Sequence, residues 1–179
     1  MYEFYPLIFV GALLGVVSTI FIIAYMTIRK QKEAIGFDRH MDDGERFAYF
    51  AMAVVEMMRH IGLYPDILHA HDWSSALTLV YLNRKYRSIP EYANIRNVFT
   101  IHNIEYQGSY DFAILGDIFD LGQEDRSLME YDGRINLMKA AIECSDLVTT
   151  VSETYARELM YPYYAHGLDG ILSGAAWKL

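Results

Sequence analysis

The hydrophobic positions of this chain follow different patterns on the two sides of residue 42. Residues 6–28 contain no charged side chain. A helix of that length would span about 35 Å, enough to cross the hydrocarbon core of a bilayer. Arg29, Lys30 and Lys32 follow directly, and positive charge at that end predicts a single-pass anchor with residue 29 onward in the cytoplasm. The preceding "MYEFY" has no basic residue, which argues against a cleaved signal peptide.

After residue 42, short apolar runs alternate with segments of helical spacing. The predicted strands are "PDILHA", "NVFTIHN" and "DLVTTVS", and residues 111–130 are predicted to form short helical turns. The predicted helices are "DDGERFAYFAMAVVEMMRHIG", with Phe47, Phe50, Val54 and Met58 on one face, "DWSSALTLVYLNRKY", "GRINLMKAAIECS" and "ETYARELMY". This alternation is typical of an α/β fold whose parallel sheet is covered by helices on both faces. We therefore predict two parts, a membrane helix with its linker over 1–41 and an α/β domain over 42–179.

Charge and cysteine content exclude some classes of function. The chain has a formal net charge of −8 and no basic cluster after residue 42, which makes it a poor candidate for binding nucleic acid. Its one cysteine, Cys144, excludes an internal disulfide and is interpreted as a small buried hydrophobe on a helix.

Polar side chains follow all three predicted strands. His69-Ala-His71-Asp72 ends the first strand, His102-Asn103 the second and Ser152-Glu153 the third. In open α/β sheets, ligands bind beyond the carboxyl ends of the strands. The sequence therefore predicts one site at that edge of the sheet.

Three interpretations of these polar residues stay open on residue types alone. Two histidines in a His-x-His pattern, with Asp72 and His102, could ligate a metal ion in a hydrolase, although Trp73 is an unusual neighbour for a hydrated cation. Either histidine could also be a core residue without a chemical role. A sugar pocket fits the residue types better, because carbohydrate needs polar hydrogen-bonding groups beside aromatic rings. Such groups are Asp72, His102, Asn103, Gln107, Trp73, Tyr106 and Tyr110, with Gly108 allowing a tight turn.

Five segments, in order, resemble the N-terminal half of bacterial glycogen synthases and plant starch synthases. They are "DDGERFAYF", "PDILHAHDW", "VFTIHNIEYQG", "YDGRINLMKAAIECSDLVTTVSETYARE" and "HGLDGIL". The resemblance covers about residues 42–179, and residues 1–41 lie outside it. It implies a Rossmann-like parallel sheet with flanking helices, the incomplete N-terminal half of a GT-B type glycosyltransferase.

The resemblance also implies an activity and a set of site residues. The activity is retaining transfer of glucose from ADP-glucose to an α-1,4-glucan, without a metal or other cofactor. Asp72 and His102 match catalytic positions, with the His102 carbonyl near the anomeric carbon of the donor glucose. Asp72, Trp73 and Asn103 would hold the glucan, while Gln107 and Gly108 shape the adjoining loop.

The chain departs from the family pattern in three places. A membrane-like segment stands where the family has its first strand and Lys-x-Gly-Gly loop, the sequence stops at "GAAWKL", and Ser74 replaces the usual histidine. We therefore expect a fragment with little activity alone, which is a gene fragment, a rearranged fusion or one half of a split enzyme with a complementary C-terminal synthase half. The alternative is a membrane-tethered, non-catalytic glucan-binding module. With the anchor the catalytic part faces the cytoplasm, and without it the chain is cytoplasmic.

Overall fold

The computed structural model describes residues 39–179, so the predicted membrane segment 6–28 lies outside the described residues. Within residues 39–179, no helix has the length and apolar character that crossing a membrane requires. Residues Gly44–Leu179 form a single compact unit.

The order of elements alternates strands and helices, as the sequence pattern predicts. Short π and 3-10 turns at Leu82–Tyr86, Gln123–Asp125 and Ala176–Lys178 join some of them. The helices and strands are α1 (Arg39–Ile61), β1 (Ile67–His71), α2 (Asp72–Tyr81), β2 (Arg96–Ile101), β3 (Ser109–Tyr110), α3 (Ile114–Asp117), α4 (Arg126–Met129), β4 (Glu130–Tyr131), β5 (Arg134–Asn136), α5 (Leu137–Cys144), β6 (Leu147–Thr150), α6 (Glu153–Glu158), α7 (Pro162–Ala165) and α8 (Asp169–Gly174).

Two sheets organise these elements. The three predicted strands form a parallel sheet in the order β1-β2-β6, in which His71 is in register with Thr100 and Thr100 with Thr149. A small antiparallel sheet, β3-β5-β4, lies in the chain between strands β2 and β6 of the parallel sheet. The three strands run in the same direction, so the residues that follow β1, β2 and β6 gather at one end of the sheet, where the carboxyl ends of the strands lie.

Within residues 43–179, helices cover one face of the parallel sheet, and the expectation of a second covered face stays a prediction. Helices α2 and α5 pack together and against β2, and they cover the positions of Leu68, Ala70, Phe99, Ile101 and Val148. The alternate positions of β1 are exposed, and Ile67 and Leu147 retain 57% and 46% of their accessible surface. The strands therefore alternate in burial, as half-covered strands do, although their sequences are nearly continuous apolar runs.

The buried face of α1 is shifted by about one residue around the helix from the predicted face. Phe50 is 51% exposed, whereas the buried positions are Gly44, Ala48, Ala51, Val55 and Met58. Small side chains at these positions let the helix pack closely on the domain. Gly62, at φ +64°, ends the helix as predicted, and Leu63 N–H donates to the Met58 carbonyl in a Schellman-type cap.

The helix predicted over "GRINLMKAAIECS" begins later than the sequence pattern suggests. Arg134–Asn136 form strand β5, and α5 begins at Leu137. The Asn136 side chain caps α5 by accepting from Lys139 N–H at 2.9 Å. Asparagine is a favoured N-cap, so this boundary has a local cause.

Candidate functional site

The edge where β1 and β2 end carries a group of exposed or half-buried polar side chains, here called the polar rim: His71, Asp72, His102 and Asn103. Asp72 lies at the turn between β1 and α2 with φ +55°, in the left-handed region. Its Oδ1 accepts from His102 N–H at 2.8 Å and from Asn103 N–H at 3.2 Å. The carboxylate at the end of one strand thus holds the backbone at the end of the next.

The ring of His102 contacts the ring of His71. His71 Nδ1 and His102 Nε2 lie 3.0 Å apart in a hydrogen bond. Alternation along β2 puts His102 on the same face as Thr100, which is in register with His71. The polar rim is therefore connected twice, once through Asp72 and the backbone and once through two imidazoles.

A second chain of hydrogen bonds crosses the open face of the sheet just below the rim. His69 Nε2 is bonded to Thr100 Oγ1 at 2.7 Å, and Thr100 Oγ1 to Thr149 Oγ1 at 2.6 Å. The ring of His69 also stacks against that of His71, with centroids 4.2 Å apart. Burial, followed by the neighbouring imidazoles of His71 and His102, lowers the pKa of His69 below 6.5 and favours its neutral form.

The loop after β2 is held by a second group, here called the loop anchor: Trp73, Gln107 and Gly108. Gly108 has φ +66°, and a Cβ built there would lie 2.7 Å from Trp73 Cε3 and 3.1 Å from Leu137 Cβ. The Trp73 ring meets Phe47 edge-on, with centroids 4.9 Å apart. Only glycine allows this approach of backbone to indole.

Gln107 uses its whole amide within the protein. Its Oε1 accepts from Asn136 Nδ2 at 2.7 Å, and its Nε2 donates to the carbonyls of Ile104 and His166 at 3.2 and 3.1 Å. The backbone carbonyls of Gln107 and Gly108 accept from Met138 and Leu137 N–H at the start of α5. The loop is therefore fixed to α5 and to the segment that follows α7.

The comparisons with known proteins agree on one protein family. The family model described as the starch synthase catalytic domain matches residues 14–174. The chain belongs to the starch synthase catalytic domain family. It is 46% identical over 140 residues to the glycogen synthase of Alkaliphilus metalliredigens, covering 77% of this chain and 30% of that protein. It is 50% identical over 141 residues to the glycogen synthase of Streptococcus equi subsp. equi, covering 77% and 29%.

A solved structure of the same family agrees with the fold. The catalytic domain of starch synthase IV from Arabidopsis thaliana, bound to ADP and acarbose, matches with a TM-score of 0.69 and 33% identity. That match covers 79% of this chain and 29% of the other. The chain therefore spans about 30% of the length of the starch and glycogen synthases it matches. The family match begins at residue 14, inside the apolar run, and the division at residue 42 stays a prediction.

The predicted site residues of this synthase domain fall into two groups. Asp72, His102 and Asn103 meet at the polar rim as expected. Trp73, Gln107 and Gly108 form the loop anchor, where their described contacts are with protein. Their roles toward a ligand stay predictions.

The aromatic wall expected around the site is only partly present. Tyr110 is 7% exposed, which corrects its assignment to a sugar-facing wall, because it packs against Phe119 with ring centroids 5.6 Å apart. Trp73 is half-buried between Phe47 and Gly108. Tyr106, in contrast, is 61% exposed on the loop that follows Asn103.

Several residues near the candidate site, such as Thr100, Thr149 and Tyr155, have no motif signal of their own. His71, Thr100 and Thr149 are connected by register across three strands, and Tyr155 Oη accepts from Ile104 N–H at 3.3 Å. At the turn after β1, Ser75 Oγ accepts from His71 N–H at 2.7 Å. Strand pairing could have identified Thr100 once β1 and β2 were assumed to be neighbours.

In the part of the chain that the structure describes, no group of three or more His, Cys, Asp or Glu side chains has the geometry to hold a metal ion. The imidazoles of His71 and His102 instead pair with each other, and that of His69 pairs with Thr100.

Proposed function

We propose that residues 42–179 form the N-terminal part of the active site of a GT-B type retaining glucosyltransferase. The proposed donor is ADP-glucose and the proposed acceptor is an α-1,4-glucan, as in glycogen and starch synthases. A C-terminal part, in the same or another polypeptide, would complete the nucleotide site. Family membership and the meeting of Asp72 with His102 support this proposal.

The observation that carries the proposal is the pair of hydrogen bonds to Asp72 Oδ1. The Asn103 N–H shares a planar trans peptide with the His102 carbonyl, so the two groups point in opposite directions. Holding Asn103 N–H on Asp72, at 3.2 Å, therefore directs the His102 carbonyl away from Asp72. Asp72 thus fixes the carbonyl that the family resemblance assigns to the anomeric carbon.

This geometry suits the charge that develops during glucosyl transfer. The transition state at the sugar is oxocarbenium-like, and a carbonyl dipole fixed before the reaction stabilises positive charge without reorganising. The Asp72 carboxylate adds a negative field at the same rim. Both groups act by position and field, and neither needs to act as a nucleophile.

The remaining predicted residues divide the task of binding. Asn103 and the exposed Tyr106 are proposed to contact the glucan. Trp73, Gln107 and Gly108 are proposed to hold the loop that presents them. Positioning the acceptor hydroxyl against the donor would supply much of the remaining rate enhancement.

A chimeric enzyme tests the proposal. Residues 42–179 of this chain replace the matched region of the Alkaliphilus metalliredigens glycogen synthase, to which the chain is 46% identical. Glucose transfer from labelled ADP-glucose to glycogen is then measured. We expect an active chimera, with loss on the order of 10²-fold or more in kcat for Asp72→Asn, which keeps the hydrogen-bond acceptor but removes the charge. A folded but inactive chimera would contradict the proposal.

The chain alone is expected to show little transfer, since it spans about 30% of its relatives. The alternative function, a glucan-binding module, predicts that the chain retains maltooligosaccharide with no response to ADP-glucose. The exposed Tyr106 gives that alternative its structural basis. Affinity electrophoresis of Tyr106→Ala against the unaltered chain, with and without ADP-glucose, separates the two functions.

We also propose that residues 6–28 anchor the chain to a membrane with residue 29 onward in the cytoplasm. Uncharged length and the following basic residues support the anchor, whereas the family match from residue 14 favours a place in the catalytic domain. Extraction of membranes with alkaline carbonate distinguishes a membrane anchor from a segment of the catalytic domain. Release of the chain into the supernatant would overturn the anchor.

A further inference from the structure

His71 is not among the residues that the synthase resemblance assigns to the site, yet its ring is the hydrogen-bond partner of the His102 ring. The side chain of His102 therefore has a neighbour that can determine which of its nitrogens carries the proton. In a histidine, the hydrogen bond made by one ring nitrogen fixes the role of the other.

A single proton lies between His71 Nδ1 and His102 Nε2, which are 3.0 Å apart. Two neutral arrangements satisfy this bond. In one, each ring carries its proton on Nδ1, and in the other, each carries it on Nε2. An unconstrained neutral imidazole prefers Nε2–H, so the second arrangement places both rings in their preferred form. His102 Nε2–H then donates to His71 Nδ1, and His102 Nδ1 is left as an acceptor.

The His71 ring is itself held in place. Its backbone N–H donates to Ser75 Oγ at 2.7 Å, and its ring stacks on His69, which is bonded to Thr100. His69 and Thr100 belong to adjacent, paired strands. The partner of His102 is therefore attached to the rigid sheet, as a residue that positions another must be.

We propose that His71 is a positioning residue that holds His102 as its Nε2–H tautomer and so leaves His102 Nδ1 to accept a hydrogen bond from a hydroxyl of the bound sugar. The tautomer follows from the hydrogen bond between the two rings together with the preference of neutral imidazole for Nε2–H, whereas the role of the sugar hydroxyl rests on the proposed glucosyltransferase function. Asp72 orients the backbone carbonyl of His102, and His71 orients its ring. The two functional groups of His102 thus have separate supports.

Long-range ¹H–¹⁵N correlation of histidine rings in the full chain measures the tautomer directly. The six histidines are assigned by single replacements, and spectra are recorded above the pKa of free histidine. We expect His102 of the unaltered chain to be a single Nε2–H tautomer. His71→Phe keeps a ring against His69 but removes the acceptor, so His102 should become a mixture of tautomers.

His71→Asn supplies the conservative control, because the asparagine Oδ1 occupies the place of Nδ1 and can still accept. This variant should retain the Nε2–H tautomer, and His60→Asn on α1 should leave the His102 signals unchanged. A mixture or an Nδ1–H tautomer in the unaltered chain overturns the inference by itself, as does an unchanged tautomer in His71→Phe. The spectrum of the unaltered chain therefore decides even where a variant does not fold.

The active chimera then measures the consequence for transfer. We expect His71→Phe to lower kcat by up to about 10²-fold, the scale of a small misplacement, with the KM for glycogen little changed, and His71→Asn to recover most of the rate. An unchanged kcat in His71→Phe would overturn the role toward the sugar. An inactive chimera with the expected tautomers would instead contradict the glucosyltransferase function and leave the pairing of His71 with His102 established.

Discussion

The polar rim and the loop anchor lie next to each other in sequence, as Asp72 and Trp73 show, but they are built on different principles. Rim residues are exposed or half-buried and direct polar groups at one another. Anchor residues use their surfaces and amides within the protein. One family motif, "HDW", thus supplies both a candidate catalytic group and a packing residue. Residue type alone does not separate chemistry from support.

The difference gives opposite expectations for mutation. Substitutions in the loop anchor should lower the free energy of unfolding strongly, and they should weaken ligand binding because the structure is lost. Changes in the polar rim should lower it less while removing transfer. Variants at Gly108 and Asp72 test this contrast, and the larger effect on stability is expected at Gly108.

Gly108→Ala is expected to have the largest effect on stability. The added Cβ would meet Trp73 Cε3 at 2.7 Å, and overpacking of this kind costs about 1–3 kcal/mol. The left-handed backbone at φ +66° adds about 1–2 kcal/mol for a residue with a Cβ. We expect a total loss of about 2–5 kcal/mol, measured by urea denaturation.

Gly133→Ala is the matched control for this variant. Gly133 has a similar φ of +75°, but nothing lies within 4 Å of the Cβ position. It should lose only the backbone contribution of about 1–2 kcal/mol. Equal losses in the two variants would mean that Trp73 moves freely and that the loop anchor is not tightly packed.

Asp72→Ala is expected to have an intermediate effect on stability. It removes the acceptor for His102 and Asn103 N–H and places alanine at φ +55°. Because these N–H groups lie at an exposed edge, water can replace the carboxylate, and we expect a loss of about 2 kcal/mol. Asp72→Asn keeps an acceptor and tolerates the left-handed backbone, so it should lose clearly less in the same denaturation experiment.

In the chimeric synthase, the two Asp72 variants should both lose transfer despite their unequal stability. A normal rate in Asp72→Asn, together with a low rate in Asp72→Ala, would show that Asp72 acts through hydrogen bonding alone. Its charge would then have no part in the reaction.

The sequence predicted the strands and their convergence because both depend on local patterns. Polar residues directly after apolar runs placed Asp72 and His102 at one edge, as observed. The exposure of alternate strand positions was not predicted, because an apolar residue such as Ile67 can occupy either a covered or an exposed position of a strand. The contacts of Gln107 with Asn136 and with backbone carbonyls were not predicted, because an amide side chain can bind a ligand or the protein equally well and its sequence position does not identify its partner.

The smallest expected effect concerns His69, below the rim. Burial, with the imidazoles of His71 and His102, lowers its pKa from 6.5, so the folded chain binds a proton at His69 less readily than the unfolded chain does. Stability therefore rises with pH in this range, and the contribution present above pH 6.5 is lost as the pH falls below it.

His69→Asn should flatten the pH dependence of the urea midpoint below that value. Thr100→Val removes the hydrogen-bond partner of His69 but keeps the titrating group and its neighbours, so it should retain most of the slope. An equal slope in His69→Asn and the unaltered chain would mean that burial and the neighbouring imidazoles do not lower the pKa of His69.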